Sequence, residues 1–194
     1  MYSLEEMLQA TGALQWADHL ERVAFNALPT QATDAYDGRQ YYQQTNQIAC
    51  SREWRNFVTQ HEDNDNVFGV LNGYPCCSCN MHQGWPKFTQ NLWYASNDGG
   101  LAAFIYAPSA VTAKVAGGVE VSLKQETFYP FDETVKVTVN FPSRKVKKAE
   151  FPLYFRIPEW CDGAYVQVNG VNINCISDAG TMVRIDRVWS KGDV

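Results

Sequence analysis

No run of about 18 apolar residues occurs in this chain, so nothing in it reads as a membrane-spanning helix. Basic runs are lacking too. Sixteen Lys and Arg stand against 21 Asp and Glu, a net charge of −5, which argues against nucleic acid as the main partner. There is no internal repeat and no signal-peptide pattern at Met1. The chain opens inside a helical pattern and closes at Trp189-Ser190-Lys191-Gly192-Asp193-Val194, where a turn has just opened. We therefore expect a fragment at both ends, partnered in nature by a missing N-terminal part of the same protein. The compartment stays open: cytoplasmic, periplasmic or secreted. In surplus are aromatic residues, at 13% of the 194 residues, and six cysteines. Aromatics fill cores first and line sugar-facing clefts second. Cys50, Cys161 and Cys175 are spread out and read as buried small hydrophobes. A disulfide-bonded secreted protein is the minority alternative.

Residues 2–28 read as two helices. Ser3 and Glu6 form a capping-box pattern, Thr11-Gly12 breaks the run, and Trp16, Leu20, Val23, Ala24, Ala27 and Leu28 then recur at helical spacing until Pro29. Asp18, Glu21 and Arg22 fall on the opposite, polar face, and the lone His19 reads as a surface residue. Residues 30–75 are mostly irregular. Within them Tyr41 to Ala49 favours an extended piece rich in amides, which can bond sugar hydroxyls but more commonly satisfy loop backbone. From Asn97-Asp98-Gly99-Gly100 onward the period changes to two. Strands are expected over Leu101 to Tyr106, around Val119, Val135, Leu153 and Val166, and over Met182 to Ile185, with Asn169-Gly170 as a type I′ hairpin turn. The basic cluster Ser143 to Lys148 reads as a solvated hairpin tip. The expected organisation is thus residues 1–97, helical and carrying a cysteine-bearing loop, then residues 98–194, an antiparallel β-sandwich truncated at its C-terminal end.

That loop is the centre of the chemistry. Cys76, Cys77 and Cys79 fall within four positions, ahead of Asn80 and the stripe Met81, Trp85, Phe88, Leu92. Thiolates are soft metal ligands and sulfur nucleophiles. With Asn80 as N-cap, Cys76 and Cys77 would precede a helix N-terminus, where unpaired N–H groups lower a thiol pKa. A start at Pro86 would weaken that effect. Two thiolates supply half of a tetrahedral zinc site. No second Cys or His pair repeats the spacing, although Cys79 and His82 can close a small structural site. A thioredoxin-type redox role lacks the βαβ setting it needs.

Four segments together resemble glycoside hydrolase family 127, the β-L-arabinofuranosidase-like group. They are Glu21-Arg22-Val23-Ala24-Phe25-Asn26-Ala27-Leu28-Pro29, Tyr74 to Phe88 with its Cys-Cys-x-x-Asn element, Leu101 to Ser109, and Phe155-Arg156-Ile157-Pro158-Glu159-Trp160. The resemblance implies the last helices of an (α/α)6 barrel followed by a β-sandwich. It also implies a retaining glycosidase acting on a non-reducing-end sugar, β-L-arabinofuranose among the candidates. By motif Cys76 is the catalytic nucleophile and a zinc ligand, and Cys77 a zinc ligand only. The family's other ligands lie in a Glu-x-Cys element upstream, with the acid/base Glu before it, and no Glu-x-Cys is expected anywhere in this chain. Half of the zinc shell and the proton donor are then expected to be missing. Twelve helices of about 12 residues need about 144 positions, against about 96 ahead of the strands. Cys79 stands where the family requires no cysteine. Tyr42, Gln44 and Asn46 are the expected groups near the sugar. The rival readings are a non-catalytic carbohydrate-binding or structural sandwich, and a small structural-zinc protein built on Cys76, Cys77, Cys79 and His82.

Overall fold

The structure, a computed structural model, describes residues 1–40, 43, 45–46, 48–51, 67–69 and 78–194. It is an α+β chain with few helices and several sheets. Among the described residues no helix is long and apolar enough to cross a membrane. The chain divides into two compact units: Met1–Ser3 with His19–Phe88, and Leu4–Asp18 with Thr89–Val194.

Helix α2 (Leu14–Arg22) begins in the second unit and passes at His19 into the first, where it runs into a π-turn, Val23–Ala27, closed by the Leu28 N–H on Val23 O at 2.9 Å. Pro29 then opens a 3-10 turn, Pro29–Gln31, at a position where its missing N–H costs nothing. His19 is exposed, as expected. Strand β1 (Gly38–Gln40) pairs antiparallel with β2 (Val67–Gly69). The expected continuous helix beyond an Asn80 cap is replaced by two short ones, α3 (Ser78–Met81) and α4 (Gly84–Gln90). Pro86 accounts for the break. It has no N–H to give His82 O, and its ring would clash with that carbonyl. Phe88, buried, holds α4 edge-on against Phe25 at 5.7 Å.

In the second unit, α1 (Tyr2–Thr11) starts one residue ahead of the expected Ser3 cap, within the usual ambiguity of helix ends. It stops at Thr11-Gly12, where Thr11 Oγ1 donates to Met7 O at 2.6 Å. Strands β3 (Trp93–Ala95), β4 (Leu101–Ala103), β8 (Lys148–Arg156) and β11 (Met182–Ser190) form one sheet, in the order β11-β8-β4-β3. A second sheet is the meander β5 (Ser109–Val115), β6 (Val119–Thr127), β7 (Val135–Asn140). A hairpin, β9 (Gln167–Val168) and β10 (Val171–Asn172), turns through Asn169 and Gly170 at φ 53° and 79°, the left-handed pair a type I′ turn requires. Leu101, Phe151, Leu153, Val183 and Trp189 of the first sheet meet Val115, Val121, Leu123 and Val139 of the second in one apolar core. The Trp189 indole satisfies itself on Phe151 O at 2.9 Å.

Several expectations change here. The pairing is not purely antiparallel: β4 and β8 run parallel, Leu101 opposite Leu153. The long connection between them is what parallel neighbours need. The basic segment 143–148 is exposed as expected, but it joins the two sheets instead of tipping a hairpin. Asp18 and Glu21, expected on a polar face, are buried. Arg156 explains Asp18. Its guanidinium, fully buried, donates through Nη1 to Asp18 Oδ1 and through Nε to Phe104 O at 2.6 Å. Asp18 Oδ1 also accepts the Glu159 N–H at 3.1 Å.

Three outcomes follow from this packing. A Cβ on Gly100 would lie 2.1 Å from Pro152 O, backbone that cannot yield without displacing β8. Gly100→Ala should therefore lower the urea midpoint by the equivalent of about 3 kcal/mol. Asp18→Asn leaves a buried guanidinium uncompensated and should cost about 3–5 kcal/mol, whereas Asp18→Leu with Arg156→Met should cost less than that single change. The Tyr94 phenol is pushed up to about 12 by burial, then by the Glu5 and Glu6 charges. A raised folded value favours the neutral phenol, so its contribution is complete below the free-tyrosine value of about 10 and lost as pH rises from there towards 12. Urea midpoints should fall more steeply across that window for wild type than for Tyr94→Phe.

Candidate functional site

Of the residues named from sequence, Cys76, Cys77, Tyr42 and Gln44 lie outside the described residues. Asn46 is described: it is exposed in a turn with φ 58°, a left-handed value that asparagine tolerates. The nearest described neighbours of the cysteine pair are β2, ending at Gly69, and α3, beginning at Ser78 directly after Cys77. His82 is exposed in the break between α3 and α4. Because α3 has only four residues and α4 starts afresh at Gly84, little dipole can build up behind the cysteines.

A cleft of about 570 Å³ lies in the first unit and is lined in part by α3 and α4. Its polar lining is Gln31, Arg39, Asn80, Gln83 and Lys87, with Leu28 among its apolar residues. The Lys87 ammonium lies 4.3 Å from the centroid of the Tyr2 ring. Amide and guanidinium groups of this kind suit a ligand rich in hydroxyls. No Asp, Glu, His or Cys lines the cleft among the described residues. Nor, among the described residues, do three such groups approach closely enough to hold a metal. Acid–base and metal chemistry at this place would have to come from elsewhere, and Cys76 and Cys77 are the nearest candidates in sequence. Gln43, from the amide-rich stretch, is spent on structure: Nε2 donates to Ala27 O at 3.0 Å and Thr30 Oγ1 at 2.9 Å.

Sequence reasoning missed Gln31 and Arg39, whose surroundings carry no motif, and Gln83, which lies within the Tyr74 to Phe88 segment but was given no role. It also missed the buried pair, although an arginine within the apolar alternation Leu153, Phe155, Ile157 was a signal. The expectation that the chain holds no Glu-x-Cys is wrong: Glu159-Trp160-Cys161 is one, and it lies downstream of the pair. Its glutamate backbone is bonded to Asp18, and Cys161 packs half-buried against the sheet core. Cys50, Cys161 and Cys175, expected as buried small hydrophobes, are half-buried and not fully enclosed.

A second polar cluster sits on the sheet unit. Asp98 accepts from Ser96 Oγ and from the Tyr154 hydroxyl, and Arg184 Nε donates to that hydroxyl at 2.9 Å. The Ser96 hydroxyl, then Tyr154 and Arg184, holds the Asp98 carboxyl below the usual carboxylate range. Burial, then the bond to Asp98, raises the Tyr154 phenol. The cluster contains no nucleophile and ties the turn at 96–100 to β8 and β11.

Comparison with known proteins agrees with this architecture. Residues 100–194 match the family described as Beta-L-arabinofuranosidase, GH127 middle domain. A solved structure titled "Glycoside hydrolase" superposes with a TM-score of 0.74 at 26% identity, over 96% of this chain and 29% of that one. A GH127 β-L-arabinofuranosidase from Geobacillus stearothermophilus T6 superposes with a TM-score of 0.74 at 24% identity, over 98% of this chain and 28% of that one. The chain thus spans less than a third of each of these structures. No curated protein matches. Residues 100–194 thus form a domain of the GH127 middle-domain family, and the solved structures that the chain resembles include a GH127 enzyme.

Proposed function

We propose that this chain is part of a retaining glycoside hydrolase whose nucleophile is Cys76. Its substrate is a non-reducing-end sugar, with β-L-arabinofuranose the first candidate. The match of residues 100–194 to the GH127 middle domain carries this reading, together with the Cys-Cys-x-x-Asn element at residues 76–80. In this reading the helical part of the chain is the end of an (α/α)6 barrel and the sheet unit is the following β-sandwich.

Zinc fits the donor set in part. The sulfurs of Cys76 and Cys77 would hold it, while two further donors are not identified in this chain. Bound there, zinc would supply the positive charge that keeps a thiolate at neutral pH. The Cys76 sulfur attacks the anomeric carbon. A C–S bond forms as the glycosidic C–O bond breaks, and a carboxylic acid gives its proton to the departing oxygen. Water, deprotonated by the same carboxylate, then releases the sugar and restores the thiolate. That acid is not assigned to any residue of this chain. The cleft amides of Gln31, Asn80 and Gln83 would orient ring hydroxyls, and Arg39 would add a charged donor.

Cobalt(II) binding tests the metal-bearing pair without relying on turnover. The full chain, reduced and loaded with cobalt, should show a thiolate-to-metal absorption band. Cys76→Ser and Cys77→Ser should each lose it, and Cys161→Ser should keep it. A band that survives both changes, or no band at all, would sink the proposal. Loss on His82→Ala would favour a structural site instead. On an aryl β-L-arabinofuranoside with zinc and reductant, the chain alone is expected to show little or no hydrolysis.

A further inference from the structure

Strand β11 lies at the edge of its sheet. Of that sheet's two edges, β3 has three residues and β11 has nine. Its register with β8 runs unbroken from Met182 opposite Arg156 to Ser190 opposite Lys148. At one end Lys191 N–H bonds to Lys147 O at 3.1 Å, and at the other Ile157 N–H bonds to Thr181 O at 2.8 Å. Bonded and non-bonded pairs alternate in an antiparallel ladder, so the odd-numbered residues of β11 spend their backbone groups on β8. The backbone groups of Met182, Arg184, Asp186 and Val188 point the other way. Ser190 is in the same phase, and its N–H leaves the ladder for Asp193 Oδ2 at 2.8 Å. Among the described residues no backbone bond reaches Met182, Arg184 or Asp186 on that side. The second sheet, by contrast, covers β7 with the chain's own end: Gly192 N–H bonds to Val139 O, and Val139 N–H to Asp193 O, both at 2.8 Å. A groove of about 530 Å³, lined by Arg184–Val188 together with Ile173 and Cys175, leaves room along β11. A long open edge of this kind is a template for another strand.

The edge is complementary to itself. Two copies of β11 laid antiparallel about a two-fold axis bond only where even residues face even residues. Three central registers satisfy this. With Asp186 opposite Asp186, or Arg184 opposite Arg184, like charges meet at the axis. With Ile185 opposite Ile185, Arg184 of each copy faces Asp186 of the other, and Met182 faces Val188. This register alone engages all four open residues, in about eight backbone bonds; each of the other two pairs only three. Both charges are exposed on one face, 2.7 Å apart within a chain, with Asp98 at 3.4 Å from Arg184. On the opposite face Ile185 meets Ile185, and Arg187 keeps its guanidinium over its own Trp189 ring at 5.2 Å. We propose that β11 is a homodimer edge: two copies of this chain pair through it with Ile185 opposite Ile185, joining two four-stranded sheets into one. Register and charge carry this interface, and it depends on neither the zinc nor the glycosidase reading.

Sedimentation equilibrium of the full chain, in reductant to exclude intermolecular disulfides, should show a monomer–dimer equilibrium between about 10 and about 500 μM, the weak range expected of a contact one strand wide. Arg184→Asp and Asp186→Arg each set like charges opposite one another and should raise Kd about tenfold. The double exchange, Arg184→Asp with Asp186→Arg, restores unlike pairs and should return Kd to the wild-type value. A purely local role for either residue would not be rescued in this way. Amide hydrogen exchange reads the register. The N–H groups of Met182, Arg184, Asp186 and Val188 should become protected as concentration rises, whereas those of Val183 and Ile185 should be protected throughout. Because wild type is measured, this readout holds even where an exchanged variant fails to fold. A monomer at every concentration, a Kd unmoved by the single exchanges, or a folded double variant that stays monomeric would overturn the interface. So would open-edge amides whose exchange ignores concentration.

Discussion

The structure of the sheet unit depends on one buried charge. Arg156 has no exposure to water, and a guanidinium in that position is tolerable only where every strong donor finds an acceptor. It reaches Asp18, which comes from α2, 138 residues earlier in the chain, and Phe104 O, which follows β4. Such a pair contributes little net stability beside an apolar equivalent. Its effect is on which arrangement is allowed. A one-residue slip of β8 would turn Arg156 to the other face of the sheet and leave both charges without partners. The pair therefore couples strand register to the helical segment. It explains why residues 4–18 belong to the same compact unit as residues 89–194 although 70 positions intervene.

The same residue organises the surface. The Arg156 carbonyl fixes Tyr106, Tyr106 supports Tyr129, and Tyr129 supports Trp160. Two residues after Ile157 the chain leaves the core, and the Glu159 N–H returns to Asp18. The Arg-Ile-Pro-x-Trp segment is thus one device. Its arginine anchors the strand, and its tryptophan is presented outward on a stack that the anchor holds still.

Legibility in the sequence followed how local each signal was. The break at Thr11-Gly12, the Asn169-Gly170 turn and the alternation at Val119, Val135 and Leu153 depend on neighbours a few residues away, and all were readable. Strand β5 was missed because alanine and serine blunt its alternation. Strand β11 was read only to Ile185 because Asp186 and Arg187 mask its period, whereas in space it pairs with β8 out to Ser190. Asp18 looked like a polar-face residue because its partner is remote, and no periodicity reports a partner at that distance. At the candidate site the motif pointed to Cys76 and Cys77. Arg39 and Gln31 reach the cleft only through the fold, so their part in it could not be read from spacing.

The break at Pro86 bears on how the paired thiols can work. A free cysteine has a pKa of about 8.5, so each thiol needs about 2 kcal/mol of stabilisation to ionise by pH 7. Two adjacent thiolates also repel each other. A long helix behind Cys77 could have contributed to that total, but a single turn followed by a second short helix contributes little, since the dipole grows with aligned peptide units. The cations lining the cleft, Arg39 and Lys87, are single charges, and Lys87 is engaged with the Tyr2 ring. A divalent ion held by both sulfurs, as proposed above, would stabilise both anions at once, by charge and by covalency. On the proposal above, the short helices α3 and α4 leave the stabilisation of the thiolates to the metal.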